Sequence, residues 1–416
     1  MLRHLYTLAI WLYTAGIHVA APFHKKAAQW VAGRRPGQPS PALPPGALRP
    51  VCTLWLHAAS LGEFEQGRPL LEAVRQRHPD WRILLSFFSP SGYEMRKHYP
   101  HADWVGYLPP DLPASVEAFL EEAKPNVAVF VKYEFWANYL FALRERSIPT
   151  LLVSALFRPD QPFFRWYGSL WRQMLRAYTH LFVQDRASAD LLLSVGVSSV
   201  TVAGDTRVDR VLQIAQQAAP DALVADFVGQ DSPFVLVAGS TWEADEDLIA
   251  EALKQWAGRQ QVRLIIAPHD PAEAHVSRIE GLFAGSLRYS RAKAAAAAAS
   301  ATCLIIDNVG LLNTLYRYGS AAYIGGGHGK GIHNTLEPAA WGLPVAFGPK
   351  YRKFEEARQF VARGGGFVVR YPADLADWLQ QMQHEPARQL ASRKVLEYLE
   401  ESRGATEQVM AFIAGR

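Results

Sequence analysis

Ala321-Ala322-Tyr323-Ile324 runs into Gly325-Gly326-Gly327-His328-Gly329-Lys330-Gly331, then Ile332-His333-Asn334-Thr335-Leu336-Glu337-Pro338-Ala339-Ala340-Trp341, and leaves through Gly342-Leu343-Pro344-Val345. This is a short apolar strand, a turn with five glycines in seven positions, a helix and a second strand. Without Cβ atoms the turn can follow a path closed to other residues, and its amides can approach a phosphate at a helix start. The dinucleotide pattern G-x-G-x-x-G with an acidic residue about 20 positions on is missing, so a nicotinamide site is a poor match. Asn334 and Glu337 also have the spacing of a helix cap. The glycine density favours a phosphate site, with Glu337 placed to accept hydrogen bonds from ribose hydroxyls.

The same strand–turn–helix unit recurs outward from this stretch. Phe234–Ala238, Arg263–Ala267, Cys303–Ile306, Ala321–Gly325, Pro344–Phe347 and Gly366–Val369 read as one set of parallel strands. Thr53–Ala58, Arg82–Phe87, Asn126–Val131, Thr150–Ser154, His180–Val183 and Val200–Ala203 read as another, with helical patterns between them such as Glu65–Arg77 and Pro113–Ala123. Continuous apolar strands alternating with amphipathic helices predict parallel sheets covered on both faces. The fold class is α/β, with two doubly wound lobes and ligands at the carboxyl ends of the strands, facing a cleft. The expected divisions are 51–206 for the first lobe, 207–232 for a helical connection, 233–400 for the second lobe and 401–416 for a terminal helix. The alanine run 294–299 has no chemistry to assign.

A chain of 416 residues exceeds one usual hydrophobic core, which agrees with two domains. A net charge of +4 and the lack of any nucleic-acid motif exclude DNA or RNA as a partner. Cys52 and Cys303 read as reduced core thiols, and no histidine or cysteine cluster has zinc spacing, so no metal or cofactor is expected. Leu5 to Phe23 carries no formal charge and is followed by Lys25, Lys26, Arg34 and Arg35. Residues 1–32 therefore read as a membrane anchor or an interfacial helix, and 33–50, rich in Pro and Gly, as a linker. The charge asymmetry would leave the body in the cytoplasm.

Five further motifs sit at strand ends. In Trp55-Leu56-His57-Ala58-Ala59-Ser60-Leu61-Gly62-Glu63-Phe64, Glu63 could take a proton from a hydroxyl, but Ser60 and Glu63 also have capping-box spacing, the stronger reading on spacing alone. Ser89-Pro90-Ser91-Gly92 could meet an anion or simply turn. Lys132-Tyr133-Glu134 could face the cleft or begin a solvated helix. Phe157 to His180 interleaves Arg158, Arg165, Arg172 and Arg176 with aromatic rings, which suits a membrane boundary or a buried helix with snorkelling arginines. Ser240-Thr241 and the turn Pro268-His269-Asp270-Pro271 follow the first two strands of the second lobe; the first could cradle a phosphate or simply start a helix, and His269 could face a nucleotide or just end a turn.

Taken in order, H-A-A-S-L-G-E, S-P-S-G, K-Y-E-F-W-A-N, S-A-L-F-R, G-D-T-R-V-D, G-S-T-W-E and H-N-T-L-E-P-A-A-W-G-L-P-V resemble the 3-deoxy-D-manno-octulosonic acid (Kdo) transferase family over nearly the whole chain. The resemblance implies two Rossmann-like lobes of the GT-B glycosyltransferase type with an N-terminal membrane-associated helix. It implies inverting, metal-independent transfer of Kdo from CMP-Kdo to a lipid A precursor (lipid IVA) in lipopolysaccharide biosynthesis, at the cytoplasmic face of a bacterial inner membrane. Glu63 becomes the general base. Ser60, Gly62, Ser91, Gly92, Glu134 and Arg158 fall to the acceptor. Arg207, Ser240, Thr241, His269, Gly325, Gly326, Gly327, Asn334 and Glu337 fall to the donor. One departure is Pro268-His269-Asp270-Pro271 where many members have P-R-H-P, which removes an arginine from that turn. The competing readings are a GT-B transferase using another nucleotide sugar, an enzyme of the UDP-sugar 2-epimerase kind, and a non-catalytic module binding a membrane surface.

Overall fold

The computed structural model describes residues 2–35, 37–229, 234–256, 262–292, 298 and 300–415. Apart from Ala298, the alanine run 294–299 lies outside the described residues, as do 230–232 at the end of the expected connection. The chain forms two compact units, Met1–Asp209 with Ser402–Arg416, and Arg210–Glu401.

The first unit contains β1 (Thr53–Ala58), β2 (Arg82–Phe87), β3 (Trp104–Tyr107), β4 (Val127–Val131), β5 (Thr150–Ala155), β6 (His180–Val183) and β7 (Val200–Val202). They form one sheet in the order β3-β2-β1-β4-β5-β6-β7, and every pairing is parallel. All six residues of β1 are buried. Alternation sends Leu54, Leu56 and Ala58 into one apolar cluster and Trp55 into the other, because helices cover both faces.

The second unit repeats the plan with β8 (Phe234–Thr241), β9 (Val262–Pro268), β10 (Ser286–Arg288), β11 (Cys303–Ile305), β12 (Ala321–Ile324), β13 (Val345–Phe347) and β14 (Gly366–Val368). Its order is β10-β11-β9-β8-β12-β13-β14, again all parallel. The strands absent from the sequence reading, β3 and β10, are both sheet edges. Trp104-Val105-Gly106-Tyr107 and Ser286-Leu287-Arg288 are too short and too mixed to show a strand pattern.

In each sheet the chain order reverses beside the first strand, between β1 and β4 and between β8 and β12. Connections on either side of such a point diverge to opposite faces and leave a crevice at the strands' carboxyl ends. Both points carry unusual backbone. Lys132, directly after β4, has φ 67°, and Ser240, near the end of β8, has φ 53°. Non-glycine residues held in this region are strained, and such strain concentrates at functional sites.

Two boundaries differ from expectation. The connection is helical, Thr206–Gln217 followed by Ala222–Val228, but the division falls after Asp209, so Arg207 belongs to the first unit. The last helix, Ala405–Ala414, returns to the first unit instead of standing apart. Val409, Met410 and Ile413 enter the cluster of Leu54, Leu56 and Leu70, and Asp209 accepts hydrogen bonds from Gly404 N (2.6 Å) and Thr406 N (2.7 Å).

At the N-terminus, Leu2–Ala20 and Lys25–Ala32 are helices bent by 116°; no single helix among the described residues is long and apolar enough to cross a membrane. One side of the first helix is bonded to the unit. Tyr6 donates to Asp111 Oδ2 (2.7 Å), Arg3 Nε to Asn138 Oδ1 (3.0 Å), and Asn138 Nδ2 to Thr7 Oγ1 (3.1 Å). The other side exposes Leu5, Leu8, Trp11, Leu12 and Val19. Arg34 closes the following turn. Its guanidinium lies 3.9 Å from the Trp30 ring and donates to Leu108 O and Phe88 O, and burial pushes its pKa down to about 9.

Candidate active site

The turn after β1 brings Glu63 to the first switch point. Ser60 is the N-cap of the helix Leu61–Arg77, and both its N (2.9 Å) and its Oγ (3.0 Å) donate to Glu63 Oε2. The capping box is therefore real. Both bonds fall on one carboxylate oxygen, and among the described residues Oε1 takes no hydrogen bond, so the cap leaves one oxygen uncommitted. Glu63 is half-buried. Burial and the negative charge of Glu134 raise its pKa, against the Ser60 bonds and the positive charge of Lys132.

Glu134, across the switch point after β4, is 5% exposed. Its Oε2 lies 2.9 Å from His57 Nε2 and accepts from Trp136 Nε1 (2.5 Å), while its main-chain oxygen accepts from Tyr178. His57 is wholly buried in β1, and its Nδ1 lies 2.9 Å from Ser86 Oγ on β2. Glu134 is thus buried and held by His57 and Trp136. Ser91 and Gly92 open the short helix Pro90–Arg96, whose N-cap Ser89 is tied to the same edge by its N, which donates to Ala59 O (2.7 Å). Gly92 is needed there because a Cβ would stand 2.2 Å from the Phe87 ring. Gly62 and Arg158 are exposed, Arg158 on the loop after β5 with its N donating to Gln161 Oε1.

Arg207 is held by Asp205, to which its Nε (3.0 Å to Oδ2) and a terminal nitrogen (2.7 Å) donate. Asp205 is 2% exposed and also accepts from Gln66 Nε2 (3.3 Å). Burial works to raise the pKa of Asp205, but Arg207 and Lys132 outweigh it and the carboxyl lies below its usual range.

The remaining donor candidates come together at the second switch point. Gly325 sits so close to the end of β8 that a Cβ would be 2.3 Å from Ser240 O and 2.6 Å from Thr241 Cα. Gly326 has φ 88°, and a Cβ on Gly327 would lie 2.5 Å from Gly348 N. The amides of Gly327 and His328 donate to no acceptor among the described residues, and His328 Nε2 and Thr335 Oγ1 are buried without partners. Orphaned donors of this kind are rare in folded chains and here gather around one turn, as an anion site requires. His269 N donates to Thr241 O (2.9 Å), and its ring stacks on both Trp242 (4.6 Å) and His333 (4.4 Å), which are joined to each other by the bond from Trp242 Nε1 to His333 Nε2 (3.0 Å). Burial and His269 lower the pKa of His333, against the pull of Asp245. Asn334 accepts from Leu336 N (3.0 Å) and donates to Glu337 Oε1 (3.0 Å), so the cap and the bond to Glu337 coexist.

With this geometry in view, the relatives are informative. A family model described as 3-deoxy-D-manno-octulosonic-acid transferase (kdotransferase) matches residues 28–210. The transferase of that name from Aquifex aeolicus is 27% identical over 334 residues, covering 79% of this chain and 85% of that protein. That from Bordetella pertussis is 27% identical over 353 residues, covering 81% of each. The chain is therefore similar in sequence to Kdo transferases over most of its length. The relatives so named make it an enzyme of the glycosyltransferase class. Among solved structures, UDP-GlcNAc 2-epimerase from Neisseria meningitidis bound to UDP-GlcNAc superposes with TM-score 0.60 at 14% identity, over 88% of this chain and all of that one. A putative UDP-N-acetylglucosamine 2-epimerase from Listeria monocytogenes gives 0.57 at 11%. These likenesses establish the two-sheet GT-B-like fold and nothing about chemistry.

Several site-building residues escaped the sequence reading. His57 was legible as the one titratable side chain in an apolar strand. Asp245 and Glu246, both buried, looked like an ordinary acidic helix start. Lys132 gave no signal of its strained backbone, which depends on the tertiary setting.

Proposed function

We propose that this chain is a Kdo transferase that moves Kdo from CMP-Kdo to a hydroxyl of a lipid A precursor such as lipid IVA, inverting the anomeric carbon without a metal in the chemical step. The observation that carries the reading is the half-buried Glu63 carboxylate at the end of β1, its Oε2 bonded to Ser60 and its Oε1 uncommitted. Oε1 accepts the proton of the acceptor hydroxyl as its oxygen attacks. The raised pKa makes Glu63 a stronger base than a solvated carboxylate. Ser91, Gly92 and Arg158 contribute to acceptor binding.

In the second unit, the orphaned amides of Gly327 and His328, with Ser240 and Thr241, meet the phosphate of CMP and take up its charge as it leaves. Asn334 and Glu337 hold the ribose, and His269 contacts the nucleotide. The exposed face of Leu2–Ala20 lies at the membrane interface, with Leu5, Leu8, Trp11, Leu12 and Val19 in the acyl boundary, on the cytoplasmic side of the inner membrane. The solved-structure likenesses would equally suit a UDP-sugar 2-epimerase. The sequence relatives named above as Kdo transferases favour transfer.

Nucleotide competition separates the two. Isothermal titration of the full chain should show CMP binding and displacing CMP-Kdo, with UDP at least tenfold weaker. Preferential binding of UDP would sink the donor assignment.

A further inference from the structure

Asp245 stands in the first turn of the helix Glu243–Gln255, is 1% exposed, and belongs to no group assigned above. Its carboxylate is the meeting point of three segments. Oδ2 accepts from Trp242 N (3.0 Å), in the turn after β8, and from Gly326 N (2.8 Å), in the glycine turn. Oδ1 accepts from Tyr323 Oη (3.0 Å), on β12. The contact to Trp242 is ordinary capping. The contact to Gly326 is not. It spans 81 residues of sequence and joins the turn after β8 to the glycine turn that carries the orphaned amides of Gly327 and His328.

The geometry explains what this joint does. Gly326 lies in the left-handed region, φ 88°, which turns its own N–H inward to Asp245. The next two amides are then left without partners among the described residues. Without an acceptor at that point, Gly326 N would be one more buried donor with nothing to bond, and the turn would relax to satisfy it. A charged acceptor shared by two amides is also stronger than a neutral one, so the turn is held before ligand arrives. Preorganised donors bind an anion without first being ordered.

We propose that Asp245 is a positioning residue for the donor site: by pinning Gly326 N and Trp242 N to one carboxylate oxygen, it fixes the glycine turn in the form that presents its free amides to the donor phosphate. The inference rests on the donor reading of the second unit. It assigns Asp245 no contact with substrate.

The test compares Asp245→Ala, Asp245→Asn and Tyr323→Phe with wild type in the full chain, measuring CMP affinity by titration calorimetry and KM for each substrate separately. Asp245→Ala removes the acceptor for both amides, and CMP affinity should fall roughly tenfold or more, with a matching rise in donor KM and an unchanged acceptor KM. Asp245→Asn keeps one oxygen for the amides while its NH2 can donate to the Tyr323 hydroxyl, so it should recover affinity to within a few-fold of wild type. Tyr323→Phe leaves both amide bonds in place and should do the same. Asp245→Ala with wild-type CMP affinity, or with a lower kcat at unchanged donor KM, overturns the proposal. Should that variant not fold, Asp245→Ser, too short to span both amides, is judged by the same comparison. Wild type that fails to bind CMP refutes the donor reading itself, a result separate from an insensitive Asp245.

Discussion

At the scale of single residues, the question is how Glu63 can cap a helix and act as a base. The answer lies in the division of labour between its two oxygens, since both Ser60 bonds go to Oε2. Glu63→Gln keeps an oxygen for Ser60 but cannot take a proton, so transfer should fall by about 10²–10⁴-fold while CMP affinity is retained. The sign of the pH effect follows from the raised pKa. The base works as a carboxylate, so kcat/KM should climb as pH rises through the Glu63 pKa and then level off. Glu134→Gln removes the like charge and should move that acidic limb to lower pH, read from the kcat/KM profile of the two proteins. For stability, a carboxyl raised in the folded state contributes fully below its ordinary pKa and loses that contribution as pH rises through the raised one. Glu63→Gln should therefore melt no lower than wild type at neutral pH. Sequence spacing could show both roles of Glu63 but could not weigh them, because the deciding fact is which oxygen is occupied. His57 and Glu134 are 77 positions apart, and no local pattern links them.

Elements carry the next level of the account. Twelve of the strands were readable because central parallel strands are continuous apolar runs bounded by turns; β3 and β10, at the sheet edges, lack that signature. The glycine turn after β12 was legible as special from composition alone. Its reasons were not, since they lie in contacts with β8 and with Gly348. Gly327→Ala tests them. The added methyl would meet Gly348 N at 2.5 Å, so overpacking should cost about 1–3 kcal/mol of stability in chemical denaturation, and CMP affinity should fall because the neighbouring amides are displaced. Gly62→Ala is the contrast: its Cβ would meet nothing closer than Ser60 Oγ at 4.0 Å, and CMP affinity should not change.

Across the whole molecule, both units place candidate residues at the carboxyl ends of parallel strands beside the point where strand order reverses. That doubling was legible from the repeated strand–helix pattern. The return of the last helix to the first unit was not, because an apolar helix face does not name its partner. Truncation after Glu401 would remove Val409, Met410 and Ile413 from the first unit's core. Burial of such side chains is worth about 1.5–3 kcal/mol each, so the shortened chain should be measurably less stable to urea. The membrane reading rests on one exposed helix face and on the bonds of Arg3, Tyr6 and Thr7 on the opposite side, a combination no hydropathy window alone can show. The central claim is transfer itself. The direct measurement is CMP release from CMP-Kdo by the full-length protein, with and without a detergent-dispersed lipid A precursor, alongside mass analysis of the lipid. The account predicts CMP release that depends on the lipid and a lipid product heavier by Kdo. CMP release without a glycosylated lipid, or no release from a folded protein that binds CMP-Kdo, would contradict it.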